Sequence, residues 1–225
     1  MKYLNSRLSA AMWARVLLLW LTLTIGALVV GLVAIGLGRF IQDNIRTELS
    51  SQQISFSAAD QMADEEKQIP GMVENAGQPL TTGNQAKVYS ELMALHVREA
   101  AAGAGYPDAT YATLGGINRQ LTAALKAIDP KDQTAIDAAQ AKVTAVTGLR
   151  NTMLTASNLR GNLLSAYGWD NVATGIIATG AFILVLAVVF LVLFVYEWRR
   201  GHLPPAEVIP ESPSRVSEAK LQREF

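Results

Sequence analysis

Histidine is the side chain most often recruited for proton transfer and metal ligation near neutral pH, and this chain of 225 residues has two. One of them, His96, precedes Glu99 by three residues, with Glu91 a turn or so back. On a helix, His96 and Glu99 would share a face and could offer two ligands to a divalent cation. A solvated or core-edge histidine is the simpler reading of one imidazole among scattered carboxylates. The run Asp64-Glu65-Glu66 is most simply a solvated helix face, with calcium binding as the sharper alternative. Two histidines make no Ser/His/Asp order meaningful, and no glycine-rich loop follows a strand. The absence of cysteine removes thiolate zinc sites and iron–sulfur clusters and rules out a disulfide-stapled scaffold. No catalytic residue, cofactor or metal is therefore expected, and an enzyme has nothing to point at.

The elements that would position any such group are dominated by two apolar runs. Val16 to Gly38 and Asn171 to Tyr196 contain no charged residue and are rich in Leu, Ile, Val and Ala. A helix crosses a hydrocarbon core of about 30 Å in roughly 20 residues, and both runs exceed that length. Helices in soluble proteins average about 10–14 residues and keep a polar face, which argues against a buried core helix. The four tryptophans, Trp13, Trp20, Trp169 and Trp198, lie near the ends of the runs, together with Tyr167 and Tyr196. Such rings anchor at the headgroup level. Trp169 to Trp198 would span about 43 Å of helix, close to a bilayer with its headgroups.

The first run has a positive flank in Lys2, Arg7 and Arg15, as a signal peptide does. It exceeds the usual apolar length of about 7–15 residues and lacks a small-residue cleavage site, so it reads as an uncleaved signal anchor, with cleavage the alternative. Lys and Arg near the span ends count five on the side of the termini against three on the other, which puts both termini in the cytoplasm. The resulting organisation is a cytoplasmic tail over 1–15, spans over 16–38 and 171–196, an extracytoplasmic domain over 39–170, and a disordered cytoplasmic tail over 197–225. The outer region carries eleven Lys and Arg against fourteen Asp and Glu, so no nucleic-acid patch is expected. Neither span holds an ionisable group that would mark an ion path through this chain alone.

Within 39–170 the periodicity is helical. The first span continues outward through Ile41, Ile45 and Leu49 at four-residue spacing. A short polar helix over 58–67 precedes a loop over 75–83. Further helices follow from Asn84 to the region of Gly103, and from Asp108 or Thr110 to Ile128, with Gly115-Gly116 weakening the second. Asp129-Pro130 reads as a helix start with Asp129 as cap and Pro130 in the first turn. No proline follows before Arg200, so the helix is expected to run unbroken into the second span as a stalk shared with the membrane, with Gly161 or Gly168 the place where continuity would most readily fail. The fold class is an all-α membrane protein, two transmembrane helices enclosing a helical extracytoplasmic bundle.

Small residues recur on the span faces. Ala27, Gly31, Ala34 and Gly38 follow one side of the first span. In the second, Ala173, Gly180 and Ala187 repeat every seven residues, and Gly161, Gly168 and Gly175 do so on another side. Small residues let backbones approach in lipid, so these are candidate packing faces, between the spans or against another subunit.

Three segments resemble a group of uncharacterised two-pass membrane proteins of actinobacterial type. The first has Gly83, Gln85 and Ala86 with Tyr89 and His96; the second surrounds Tyr106; the third runs Leu159-Arg160-Gly161 to Tyr167. Pro107 replaces a small residue of that group, and Ser157 stands where the group tends to have an acid. The resemblance implies the same two-pass topology in a bacterial cytoplasmic membrane and supplies no activity. The leading functional expectation is a non-enzymatic accessory or scaffold subunit. Its partners would be the lipid bilayer and other membrane-protein subunits or a second copy of itself. The alternative is an extracytoplasmic ligand-binding sensor module, similar to the input half of a chemoreceptor or sensor kinase, with output through a partner.

Overall fold

The structure, a computed structural model, describes residues 10–201. The basic N-terminal segment with Lys2 and Arg7 and the proline-rich tail beyond Gly201 lie outside the described residues. Five helices are present: α1 Ala10–Ser51, α2 Asp64–Lys67, α3 Gly83–Gly103, α4 Tyr111–Lys126 and α5 Gln133–Gly201. Among the described residues there is no strand, only an isolated antiparallel bridge between Ser55 and Pro79.

Helices α1 and α5 are both long and apolar enough to cross a membrane. Only 11% of the most apolar window of each is buried, whereas the core helix of a soluble protein would be mostly covered. Leu18, Val33, Phe182 and Val188 are all exposed, which in water would be a costly apolar surface.

The described residues form two compact units, one from 10–29 with 183–201 and one from 30–182. In the first, the rings of Trp20 and Phe190 meet at 5.9 Å between centroids. Ala187 is buried there, as is Thr24, whose hydroxyl donates to the Trp20 carbonyl at 2.8 Å and so carries no unmet hydrogen bond.

In the second unit, α1 and α5 run antiparallel. Gln42 donates to the Thr174 hydroxyl at 3.2 Å, Gly38 lies against Ala173 and Ile177, and Gly180 lies against Gly31, Ala34 and Ile35. Two apolar cores sit farther along α5. One gathers Leu49 of α1, Ala86 and Leu92 of α3 and Leu163 of α5 around Phe56, Met62, Met72 and Leu80 of the α1–α3 connection. The other packs Ala101 of α3 and Leu114 of α4 on Val146, Leu149 and Met153 of α5.

Two sequence expectations need correction. The helix expected over 58–67 shrinks to Asp64–Lys67. The connection is instead held by two arms in antiparallel register, with Phe56 N–H donating to Gln78 and Leu80 N–H to Ile54, both at 2.9 Å. Its apolar residues therefore reach the core from a loop, where helical periodicity does not register. Helix α5 starts at Gln133, not at Pro130. Asp129 accepts from Lys131 N–H at 2.9 Å to close a turn, and Asp132 caps the helix by accepting from Ala135 N–H at 3.0 Å. From there α5 runs unbroken through Gly161 and Gly168, as its proline-free helical pattern leads one to expect. Packing on its opposite side, through Met153, Leu163 and Ala173, overrides the low helix propensity of glycine.

Candidate functional site

The seam between α3 and α5, with the loop that leads into α3, gathers several of the polar residues singled out by sequence. Thr82 caps α3, accepting from Gln85 N–H at 3.2 Å. The Gln85 side chain reaches back, its carbonyl accepting from Thr81 N–H at 2.9 Å and Thr82 N–H at 3.1 Å. Its amide donates to Asn75 at 3.3 Å and Gln78 at 3.2 Å. A reciprocal capping box thus also ties down the α1–α3 loop, and Gln85 is 9% exposed because nearly all of its hydrogen-bonding capacity is met inside.

Gly83 opens α3 directly against Asp170 of α5. A Cβ there would come within 2.8 Å of the Asp170 Oδ2. Only glycine allows this approach, and it places a carboxylate at the positive end of the α3 dipole. One turn on, the Lys87 ammonium stands 5.3 Å from the centre of the Tyr167 ring. A further turn on, Glu91 faces Arg160 at 4.0 Å. Ala86 is fully buried, Leu159 packs on the same core, and Tyr89 meets Phe56 edge-on at 5.5 Å. Tyr106 lies apart from them, against the second core. Asp170 and Lys87 were missed by sequence reasoning. The signal was present: Gly83, Lys87 and Glu91 recur every four residues and match the helical series Asp170, Tyr167, Arg160.

His96 does not join Glu99 or Glu91. Its Nε2 pairs at 2.7 Å with Glu66 of α2, whose other oxygen accepts from Ala63 N–H at 3.1 Å. The Glu66 side chain is 15% exposed, so Asp64-Glu65-Glu66 is not uniformly a solvated face. Among the described residues no three His, Asp or Glu side chains converge as a metal site. Burial, and secondarily the nearby Glu66 carboxylate, holds the Tyr89 phenol above its ordinary pKa of 10.0. This constellation fastens α2 to α3 by hydrogen bonding.

Among the small-residue positions, Gly31, Gly38, Ala173, Gly180 and Ala187 are buried, and Ala27 and Ala34 are half-buried. Gly161, Gly168 and Gly175 are exposed, and nothing lies within 4 Å of a Cβ built on any of them. Trp13, Trp20 and Tyr167 are half-buried, whereas Trp169, Tyr196 and Trp198 are exposed.

On the other flank of α5, the Arg150 guanidinium lies 4.1 Å from the centre of the Tyr111 ring and over Gly115 of α4. Its Nε is buried without a hydrogen-bond partner, as is the Asn118 Oδ1. Each such orphan costs roughly 1–3 kcal/mol. A cleft of about 240 Å³ lies between α1 and α5, with Asn44, Glu48, Gln52 and Asn162 around an apolar floor of Leu49 and Leu163. Comparison with protein-family models, with curated proteins and with solved structures finds no match for this chain.

Proposed function

We propose that this chain is a non-enzymatic, two-pass integral membrane protein, an accessory or scaffold subunit. Both termini lie in the cytoplasm, and residues 39–170 form a helical domain outside. The observation that carries the reading is α5. One uninterrupted helix supplies the apolar membrane stretch and the positions on which α3 and α4 pack, Val146, Leu149, Met153 and Leu163. Gln85 fastens the loop before α3, His96 ties α3 to α2, and Asp170 lies against the first residue of α3. That arrangement suits presentation of a surface to a partner.

The second reading, a sensor-type ligand-binding module, is favoured by the polar-rimmed cleft between α1 and α5. Its volume of about 240 Å³ falls below the roughly 300–1,000 Å³ that encloses a drug-sized ligand, so it stays second.

Mild-detergent purification tests the leading reading. A stable co-migrating subunit is expected, and a chain that runs alone at native expression levels refutes it. Because the chain has no cysteine, single substitutions report topology in the same cells. An impermeant maleimide is expected to label Ala138→Cys and not Ser6→Cys, and the reverse pattern overturns the orientation.

A further inference from the structure

Helix α4 contains no acidic residue from Tyr111 to Lys126, and two arginines are laid across it. Gly115 and Gly116 remove two side chains from one turn. Arg150, reaching over from α5, fills the first gap, its Nε and Nη2 at 3.5 Å from where a Cβ would stand. Arg119 folds over the second, its Nη2 at 4.0 Å. The glycine pair that weakened the helix in the sequence is thus the feature that lets two guanidinium groups come close to it. The Tyr111 ring holds Arg150 from the other side. A shallow depression of about 260 Å³, lined by Asn118, Arg119, Thr122, Ala123 and Lys126, continues along the same helix.

This positive charge is not neutralised within the described residues. None of the four ion pairs involves Arg119, Lys126 or Arg150. The acids of the adjoining turn make local contacts of their own and form no ion pair with these bases. Asp129 and Asp132 accept from the N–H groups of Lys131 and Ala135, and Asp137 accepts from the Gln133 side chain at 2.7 Å. A half-buried guanidinium without a carboxylate is an energetic liability that an incoming anion removes.

We propose that this face of α4, with Arg150, is the docking surface for an acidic segment of a partner protein. The segment's carboxylates are received by Arg119, Lys126 and the fork of Arg150, with Asn118 and Thr122 as polar contacts. The proposal rests on the accessory-subunit reading and names the chemistry of the partner. A protein partner is favoured over the protein's own bilayer by distance. Twenty residues of α5 separate Arg150 from Asp170, about 30 Å of helix. That is several times the screening length of about 8 Å at physiological salt, so anionic headgroups are out of reach.

The test uses the full chain in detergent micelles and a fluorescent hexaglutamate peptide followed by anisotropy, with hexaglutamine and tripolyphosphate as controls. Saturable, salt-sensitive binding of hexaglutamate is expected. The double variant Arg119→Glu/Lys126→Glu changes two exposed side chains and is expected to weaken binding about ten-fold or more. Arg150→Lys keeps the charge, loses the planar fork, and is expected to weaken it several-fold. Unchanged far-ultraviolet circular dichroism verifies that each variant is folded. The proposal is overturned if hexaglutamate fails to bind, binds the double variant as well as the wild type, or is matched by hexaglutamine. Binding of tripolyphosphate without hexaglutamate also overturns it. Co-purification separates this surface from the reading beneath it. A wild-type chain without a partner removes the accessory role whatever the peptide does, whereas a partner retained by the double variant removes the surface alone.

Discussion

Replacing Gly180 by alanine adds one methyl group where two backbones already touch. The new Cβ would stand 2.8 Å from the Gly31 carbonyl oxygen, 2.9 Å from Ile35 Cγ1 and 3.1 Å from Ala34 Cβ. The oxygen belongs to a helix backbone, so no side-chain rotation relieves the contact and the helices must part by several tenths of an ångström. Overpacking of this kind costs about 1–3 kcal/mol, against which alanine recovers up to about 1 kcal/mol of helix propensity. A net loss of about 1–2 kcal/mol follows. Gly175, on the same helix, supplies the control, because nothing lies within 4 Å of its Cβ position. There alanine carries only the propensity gain, about 0.5–1 kcal/mol. The two variants should differ by about 2 kcal/mol, up to about thirty-fold in the folding equilibrium. The absence of cysteine permits pyrene labels on Gln42→Cys and Thr174→Cys, whose native side chains meet at 3.2 Å. Loss of excimer emission during titration with dodecyl sulfate reports separation of α1 from α5. If Gly180→Ala separates at the same or a higher detergent fraction than Gly175→Ala, the reasoning is refuted.

Two further outcomes follow from the packing around α3. Gln85→Leu leaves the N–H groups of Thr81 and Thr82 without their acceptor, at about 1–3 kcal/mol for each buried orphan. Hydrogen exchange should accelerate at both amides and in the first turn of α3, and unaltered protection there would contradict the capping role. Tyr89 gives the domain an alkaline limit. Its folded pKa is raised, so its contribution is intact below about pH 10, the unfolded value, and drains as pH rises from there through the folded pKa. Tyr89→Phe should flatten that slope in thermal unfolding measured across alkaline pH, and an identical slope in the variant would assign the loss to other groups.

The long helices were legible because their signal is redundant: apolar length, aromatic flanks and the spacing of Ile41, Ile45 and Leu49 all agree. The caps at Thr82 and Thr110 were near-legible, since each is a threonine just before a helical run. The α1–α3 connection was not. Phe56, Met62, Met72 and Leu80 are buried at irregular spacing, and only their partners across the fold give that spacing meaning. His96 shows the same limit from the side of chemistry. Local spacing offered Glu99 and Glu91, while the observed partner, Glu66, lies thirty residues away in sequence. Gly115-Gly116 was read as a weakness because propensity counts only what a residue lacks; its use depends on Arg150, which comes from another helix.

The continuity of α5 at Gly161 and Gly168 has a cause that reaches beyond the helix. Each glycine there is less favourable than alanine by roughly 1 kcal/mol, and both sit on the exposed side with no contact to compensate. The compensation comes from α3 and α1, which grip the opposite side of the same stretch. Glu91 and Lys87 reach Arg160 and Tyr167, Leu49 packs in the core with Leu163, and Gly83 closes on Asp170. The first turn of α3 is in turn held by Gln85 and the loop it fastens. Straightness of α5 where it approaches the apolar run is therefore a property of how α3 and α1 pack on it. A pull on α3 or on the Gln85 loop acts on the stretch of α5 that holds Gly161 and Gly168, and that is where it would bend the helix.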